Sequence, residues 1–356
     1  MNNKIKNFFR SDIDEIKEYE ILDSNGMVKL DAMENPFDLG LEFQTSFIPS
    51  SEININRYPD GSCKNLINKL KSNLNVSEKD NILIGNGSDE LIQIICMAFQ
   101  KEGNVVLCPE PTFSMYKNIA KFVGLKFESV FLREDFSLDA DNMCESIARH
   151  DPAIIFLAYP NNPTGNIWQK SDLKKIIEST NGIVVIDEAY RPFSGVSFIE
   201  EMRNYENLLI MGTLSKNGLA GLRLGYLIGK QNIIRKINKL RLPFNVNSIS
   251  QRVSELMLDK GDYLASQAKD IIKLREFMIS EMRKIEKIEV YDSSTNFVLF
   301  KIKEGSASHV FDVLLKKKIL IKDMSRNNML DNCLRVTVGT EKENKLFIQS
   351  LKNALN

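Results

Sequence analysis

From Asn81 onward the chain repeats one pattern: a short, continuous apolar run, a stretch with helical periodicity, then another apolar run. Continuous apolar runs bounded by turn residues are the mark of strands buried on both faces, and the periodic stretches between them are the crossovers that parallel strands require. The runs predict strands at Ile82–Ile84, Val105–Leu107, Phe127–Phe131, Ile154–Ala158, Ile183–Ile186, Leu208–Met211 and Leu224–Ile228. Helices are expected between them at Asp89–Phe99, Phe113–Phe122, Ala140–Ala148 and Asp172–Glu178. The expectation is an α/β fold with a large three-layer α/β/α domain and a mostly parallel sheet. After Pro243 the periodicity lengthens, with helices at Ser248–Leu258 and Tyr263–Ile285 and strands at Asn296–Ile302, Ile319–Ile321 and Leu334–Val338. A smaller α+β C-terminal domain is expected there. The boundaries read as an N-terminal arm over 1–36, a large domain over 37–245 and a small domain over 246–356. The arm offers only the narrow apolar stripe of Ile13, Ile16 and Tyr19, so it must pack on the small domain or on a partner subunit.

Composition narrows the function. Lysine plus arginine equals aspartate plus glutamate at 47 each, so no summed field favours nucleic acid or an anionic membrane, and any anion must be held locally. The charged start, Met1 to Glu20, lacks the apolar centre of a signal peptide, and no apolar run is long enough to span a bilayer. Five scattered cysteines without a CxxC pair indicate neither a disulfide framework nor a zinc site, and a cytoplasmic location is expected. Two histidines leave little room for metal chemistry or a Ser-His-Asp triad, so no metal is expected.

Four segments at predicted strand ends carry the chemistry. In Gly212-Thr-Leu-Ser-Lys-Asn-Gly-Leu-Ala-Gly-Leu-Arg-Leu-Gly-Tyr226 a lysine follows an apolar strand in a glycine-rich turn. Its amine can form a Schiff base with an aldehyde, and Arg223 can hold a phosphate nearby. A lone lysine is more often simply solvated, so the surroundings decide. In Gly182-Ile-Val-Val-Ile-Asp-Glu-Ala-Tyr190 a buried strand ends in a carboxylate at the edge where open α/β sheets bind ligands. Asp187 there can keep a pyridine nitrogen protonated, although a plain helix cap would look the same. The rigid turn Tyr159-Pro-Asn-Asn-Pro-Thr-Gly165 can aim Asn162 into that cleft. In Gly85-Asn-Gly-Ser-Asp-Glu90 the amides of Gly87, Ser88 and Asp89 meet a helix N-terminus, which favours an anion. A nicotinamide fingerprint would need a third glycine, and Glu90 stands in its place.

Together these segments resemble the fold-type-I pyridoxal-phosphate enzymes, and within them the histidinol-phosphate aminotransferases. The resemblance runs from about Met27 to Thr340 and includes Arg57-Tyr-Pro-Asp-Gly61, Pro111-Thr-Phe-Ser-Met-Tyr116, Pro160-Asn-Asn-Pro-Thr-Gly165, Asp187-Glu-Ala-Tyr190, Leu214-Ser-Lys216 and Leu334-Arg-Val-Thr-Val-Gly-Thr340. It implies that Lys216 binds pyridoxal 5'-phosphate and shuttles the proton, that Asp187 pairs with the pyridine nitrogen, and that Asn162 and Tyr190 meet the ring oxygen. Tyr116 would stack on the ring. The phosphate would be held by Gly87, Ser88, Asp89, Ser215 and Arg223, with Tyr58 reaching across from the second subunit of a homodimer. Arg335 would take the substrate's anionic end, with Lys322, Tyr19 and Asn35 as further contacts. The implied reaction transfers the amino group of histidinol phosphate to 2-oxoglutarate. Its rivals within the fold are a threonine-phosphate decarboxylase and an aromatic amino-acid aminotransferase.

Two departures from the family pattern stand out. Many relatives carry one more residue between the lysine and the phosphate-binding arginine, and Lys322 occupies a position where better-known members have arginine. Lysine supplies charge without the flat guanidinium fork.

Overall fold

The computed structural model describes residues 8–11, 13–16, 22–39, 54–327 and 329–356. Tyr19 lies outside them. The strands, in chain order, begin with a two-residue β1 (Val28–Lys29), followed by β2 (Asp80–Gly85), β3 (Val105–Glu110), β4 (Lys126–Phe131), β5 (Ile154–Ala158), β6 (Ile183–Asp187), β7 (Leu208–Thr213) and β8 (Gly225–Lys230). All but β1 form a seven-stranded sheet in the order β2-β8-β7-β6-β5-β3-β4. Its neighbours are parallel except around β8, which runs antiparallel to both β2 and β7.

Burial explains the layers. On β5, Ile154 and Phe156 face one core while Ile155 and Leu157 face another, and β6 alternates in the same way. A strand with period-two alternation and apolar residues on both faces needs helices on both sides. One face is covered by α2 (Ser88–Ala98) and α3 (Met115–Phe122), whose Ile92, Ile95 and Ile119 join the Ile154–Phe156 core. On the other lie α1 (Lys64–Leu74), α4 (Ala140–His150) and α5 (Lys170–Glu178), through Leu66, Ile147 and Ile176. Helix α1 carries only two fully buried residues, Leu66 and Leu70, along an otherwise polar segment, and the apolar periodicity does not announce it.

After a short turn α6 (Arg191–Ser194) and helices α7 (Gln231–Asn238), α8 (Ser248–Leu258) and α9 (Gly261–Arg283), the chain enters a second sheet. Strands β9 (Ile288–Val290), β10 (Phe297–Ile302), β12 (Lys322–Asp323) and β13 (Cys333–Thr337) form it antiparallel in the order β12-β13-β10-β9. Helix α9, α10 (Ala307–Lys316) and α11 (Glu341–Ala354) pack on it around Phe297, Phe300 and Phe347. Thr340 and Glu343 form a reciprocal capping box at the start of α11. Strand β11 (Ile319–Leu320) instead pairs in parallel with β1, Val28 opposite Ile319. Leu30 and Met33, just beyond β1, are buried in this second core, which leads the N-terminal segment past the C-terminal sheet and on toward the main one.

Candidate active site

The parallel strands end together. Ala158 stands opposite Asp187, and Asp187 opposite Met211, so the C-terminal edges of β5, β6 and β7 form one ledge. A cavity of about 100 Å³ opens on it, and Lys216, Asp187, Asn162, Tyr190, Ser215 and Arg223 all reach its wall.

One end of this cavity is built for an anion. Gly85-Asn-Gly leads into α2, whose Ser88 and Asp89 amides precede the first intrahelical bonds. The Gly87 amide is instead taken by the carbonyl of Gly85 at 2.9 Å, so two of the three expected amides remain. Gly87 has φ +87°, and a Cβ there would lie 2.7 Å from Nη2 of Arg223, so the guanidinium closes over bare backbone. Arg223 Nη2 also donates to Asp89 at 3.3 Å. The shortened turn from Lys216 to Arg223 closes without difficulty: Gly218 takes φ +98°, Arg223 itself sits in the left-handed region at φ 51°, and Leu214 bonds back to Leu224 at 3.0 Å. Thr213 anchors its start by accepting the Ser215 amide at 3.0 Å and donating to Ser215 Oγ at 2.9 Å.

The other end suits a ring with a protonated nitrogen. Asp187 is 5% exposed, and burial pushes its carboxyl up to about 6, against the opposing donations of Tyr116 and the Ala189 amide. Asn162 donates to the Tyr190 hydroxyl at 3.1 Å, fixing that phenol over the cleft, and burial raises the Tyr190 hydroxyl further from ionisation. The Asn162 turn is held from behind by Asn161, which accepts from Thr112 and donates to Pro111 and Thr164 at 2.8 to 2.9 Å. Lys216 is partly exposed as a residue, yet its amine is enclosed by protein and donates to the Ala32 carbonyl at 3.0 Å. Enclosure first, and the nearby charge of Arg335 second, bring the amine down to about 8. The Ala32 contact, made by a backbone group, has no sequence signal.

A second cavity of about 450 Å³ adjoins the first and shares Met33, Phe113 and Asn162 with it. Arg335 and Lys322 both line it, because they are direct partners across the antiparallel β12–β13 pair. Arg335 is only 7% exposed, donates to Asn162 Oδ1 and, at 3.1 Å, to the Asp31 carbonyl, and stacks over Phe297.

Three of the expected residues have other partners within this chain. Tyr116 borders the cavity but is sealed at 0% exposure, its ring stacked on Phe156 at 4.7 Å and its hydroxyl donating to Asp187 at 2.7 Å. The aromatic ring on the shared cavity wall is Phe113, one turn earlier, which the motif Pro-Thr-Phe-Ser-Met-Tyr also contains. Asn35 lines neither cavity: its side chain donates to Gln267 at 2.9 Å and accepts from the Phe37 amide, tying the N-terminal segment to α9. Tyr58 is 80% exposed and stacks on Phe244 at 4.6 Å, away from this chain's own cavity. Among the described residues no group of three or more metal-ligating side chains occurs, and no helix is long and apolar enough to cross a membrane.

Residues 29–351 match the family of class I and II aminotransferases. The chain is 41% identical over 351 residues to histidinol-phosphate aminotransferase 2 of Nitrosococcus oceani, covering 98% of each chain. The structure of the histidinol-phosphate aminotransferase from Clostridium acetobutylicum superposes with a TM-score of 0.85 at 26% identity, covering 93% of this chain and 99% of that one. That of the Sinorhizobium meliloti histidinol-phosphate aminotransferase, in complex with pyridoxal-5'-phosphate, gives 0.87 at 21% identity over 98% and 97%, a likeness of fold.

Proposed function

The chain belongs to the class I and II aminotransferases, and we propose that it moves the amino group of histidinol phosphate to 2-oxoglutarate, forming imidazole acetol phosphate and glutamate. The observation that carries this reading is the pair Arg335 and Lys322, adjacent across two strands and lining a cavity that opens onto Lys216. Histidinol phosphate presents a phosphate and glutamate a carboxylate at a similar distance from the amine, so one cationic pocket serves both.

The cofactor is pyridoxal phosphate. The donor set fits it: Ser88, Asp89, Ser215 and Arg223 form a phosphate cradle that a Cβ on Gly87 would fill, and Asp187 supplies a buried anion for the ring nitrogen. When bound, it withdraws electrons from the substrate's Cα and makes the Cα proton acidic. Lys216 Nζ, brought down to about 8 by its enclosure, would take that proton from Cα and pass it to the cofactor carbon that bears the nitrogen, after which water would release the substrate as its ketone and leave the nitrogen on the cofactor. Tyr190, whose hydroxyl accepts from Asn162 and so has its own proton free to donate, would meet the ring oxygen together with Asn162. Phe113, on the wall shared by the two cavities, would lie against the ring. Arg335 fixes the far end of the substrate, so that Cα meets Lys216 rather than water.

The active unit in this reading is a homodimer. Tyr58 and Phe244 stack at the surface, with Ile55 81% and Leu242 72% exposed close by in sequence, and Tyr58 serves the neighbour's phosphate cradle. The enzyme would work in the cytoplasm, a compartment that its five free cysteines suit. A coupled assay of glutamate formation from 2-oxoglutarate, with histidinol phosphate run beside phenylalanine and threonine phosphate, tests the substrate. Faster turnover of phenylalanine would sink the reading, as would loss of carbon dioxide from threonine phosphate.

A further inference from the structure

Beside the ring-nitrogen site lies a buried phenol to which the reaction as described gives no role. Tyr116, in the first turn of α3, is wholly enclosed, its ring parallel to Phe156 at 4.7 Å and edge-on to Phe113 at 5.5 Å. Its hydroxyl donates to Asp187 Oδ2 at 2.7 Å, its one hydrogen-bond partner among the described residues. The other carboxylate oxygen accepts the Ala189 amide at 3.0 Å. Asp187 is thus gripped from two elements, one oxygen by the turn that follows β6 and one by a helix packed on the sheet.

We infer that Tyr116 is a positioning residue for the cofactor's ring nitrogen, its hydroxyl holding Asp187 as an anion in one orientation. The inference rests on Asp187 pairing with that nitrogen. Burial pushes the carboxyl up to about 6, and the phenol is the largest influence acting the other way. The remaining groups facing Asp187 divide. Asp89 from the start of α2 and Glu188 next in the chain favour its protonated form, Lys216 after β7 favours the anion, and Tyr190 and Tyr226 stand by as neutral phenols. Without the Tyr116 hydrogen bond the balance tips toward the neutral acid, which cannot pair with a protonated nitrogen. Glu188 cannot substitute, because its oxygens are occupied by Ser197 and the Phe198 amide.

The test uses full-length apoenzyme titrated with pyridoxal phosphate across the range from about pH 5.5 to 8.5, in four forms: wild type, Tyr116→Phe, Asp187→Asn and the double variant. Phenylalanine keeps the ring in its slot and removes only the donor. The acid-side loss of affinity in Tyr116→Phe should move up by about one pH unit, which is roughly a tenfold weaker affinity near pH 6 and little change near pH 8.5. In the Asp187→Asn background the same substitution should alter affinity by less than about twofold, because coupled residues lose their interaction when either partner is gone. A superimposable pH curve for Tyr116→Phe would overturn the inference. So would a loss equal at every pH, or one that persists in full once Asp187→Asn has removed the carboxylate, since either marks a packing role alone. Wild-type affinity in Asp187→Asn would overturn the role given to Asp187, and the inference with it.

Discussion

At the level of single residues, the site sets two buried groups against their ordinary protonation. Lys216 lies at about 8, so the neutral amine that attacks an aldehyde grows in population as pH rises through 8, well below the range of an exposed lysine. Mixing apoenzyme with pyridoxal phosphate should therefore show a capture rate that climbs through about pH 8 and levels off above it. Lys216→Ala should show no visible absorbance band and no turnover, and a rate that keeps rising beyond about pH 9.5 would contradict the depressed amine. Asp187 departs in the opposite sense. Its folded-state value near 6 stands above the unfolded one, so the folded apoenzyme bears a penalty at pH 8 that shrinks as pH falls through about 6. Asp187→Asn should then stabilise the apoenzyme at pH 8 by on the order of 2 kcal/mol, with the gain fading near pH 5, even as it weakens cofactor binding. Calorimetry of the two apoenzymes at both pH values decides it, and a variant less stable than wild type at pH 8 would refute the penalty. Most of these residues were legible because each follows an apolar run and sits in a turn of glycine, proline or asparagine. The part of Phe113 was not, because both aromatics lie in one motif, Phe113 in the turn before α3 and Tyr116 in its first turn, and both border the cavity.

Among elements, the parallel strands were the readable part: β5 and β6 are continuous apolar runs, and their observed limits match the expected ones within a residue. Helix α1 was hidden because two leucines among lysines and asparagines make too thin a stripe, and its burial comes from packing against α8. The direction of β8 was equally silent, since an apolar run reads the same forwards and backwards. That strand nevertheless sets the phosphate cradle. A Cβ on Gly225, at its start, would lie 2.6 Å from the Gly87 carbonyl carbon and the Ser88 nitrogen, both backbone atoms that cannot step aside. Gly225→Ala should push the start of α2 away from Arg223, costing about 1 to 3 kcal/mol of stability and weakening pyridoxal phosphate binding in parallel. Unchanged affinity by equilibrium dialysis would mean that the cradle tolerates a wider gap between β8 and α2.

For the whole molecule, the site draws on the main sheet, on β12 and β13, and on the segment after β1, and the account adds a second subunit through Tyr58. A Tyr58→Ala variant and a Lys216→Ala variant should each be nearly inactive, yet mixing them with verified subunit exchange should restore about a quarter of wild-type activity, as random pairing of two half-defective chains leaves one intact site per hybrid. No recovery after exchange would confine the site to one chain. Within the substrate pocket, Arg335→Ala should impair both half-reactions, by roughly 2 to 5 kcal/mol if the ion pair is desolvated. Lys322→Ala should raise the KM for histidinol phosphate more than that for glutamate, because a doubly charged phosphate gains more from a second cation, and equal small effects would assign the phosphate to other groups. The central claim is transfer of nitrogen from one named amine, and it is tested most directly by supplying histidinol phosphate labelled with nitrogen-15 on its amine together with unlabelled 2-oxoglutarate and following the label by mass spectrometry. The account predicts labelled glutamate in one-to-one ratio with the ketone formed from histidinol phosphate, abolished in Lys216→Ala; label that stays on the amine, or leaves it as ammonia, would contradict it.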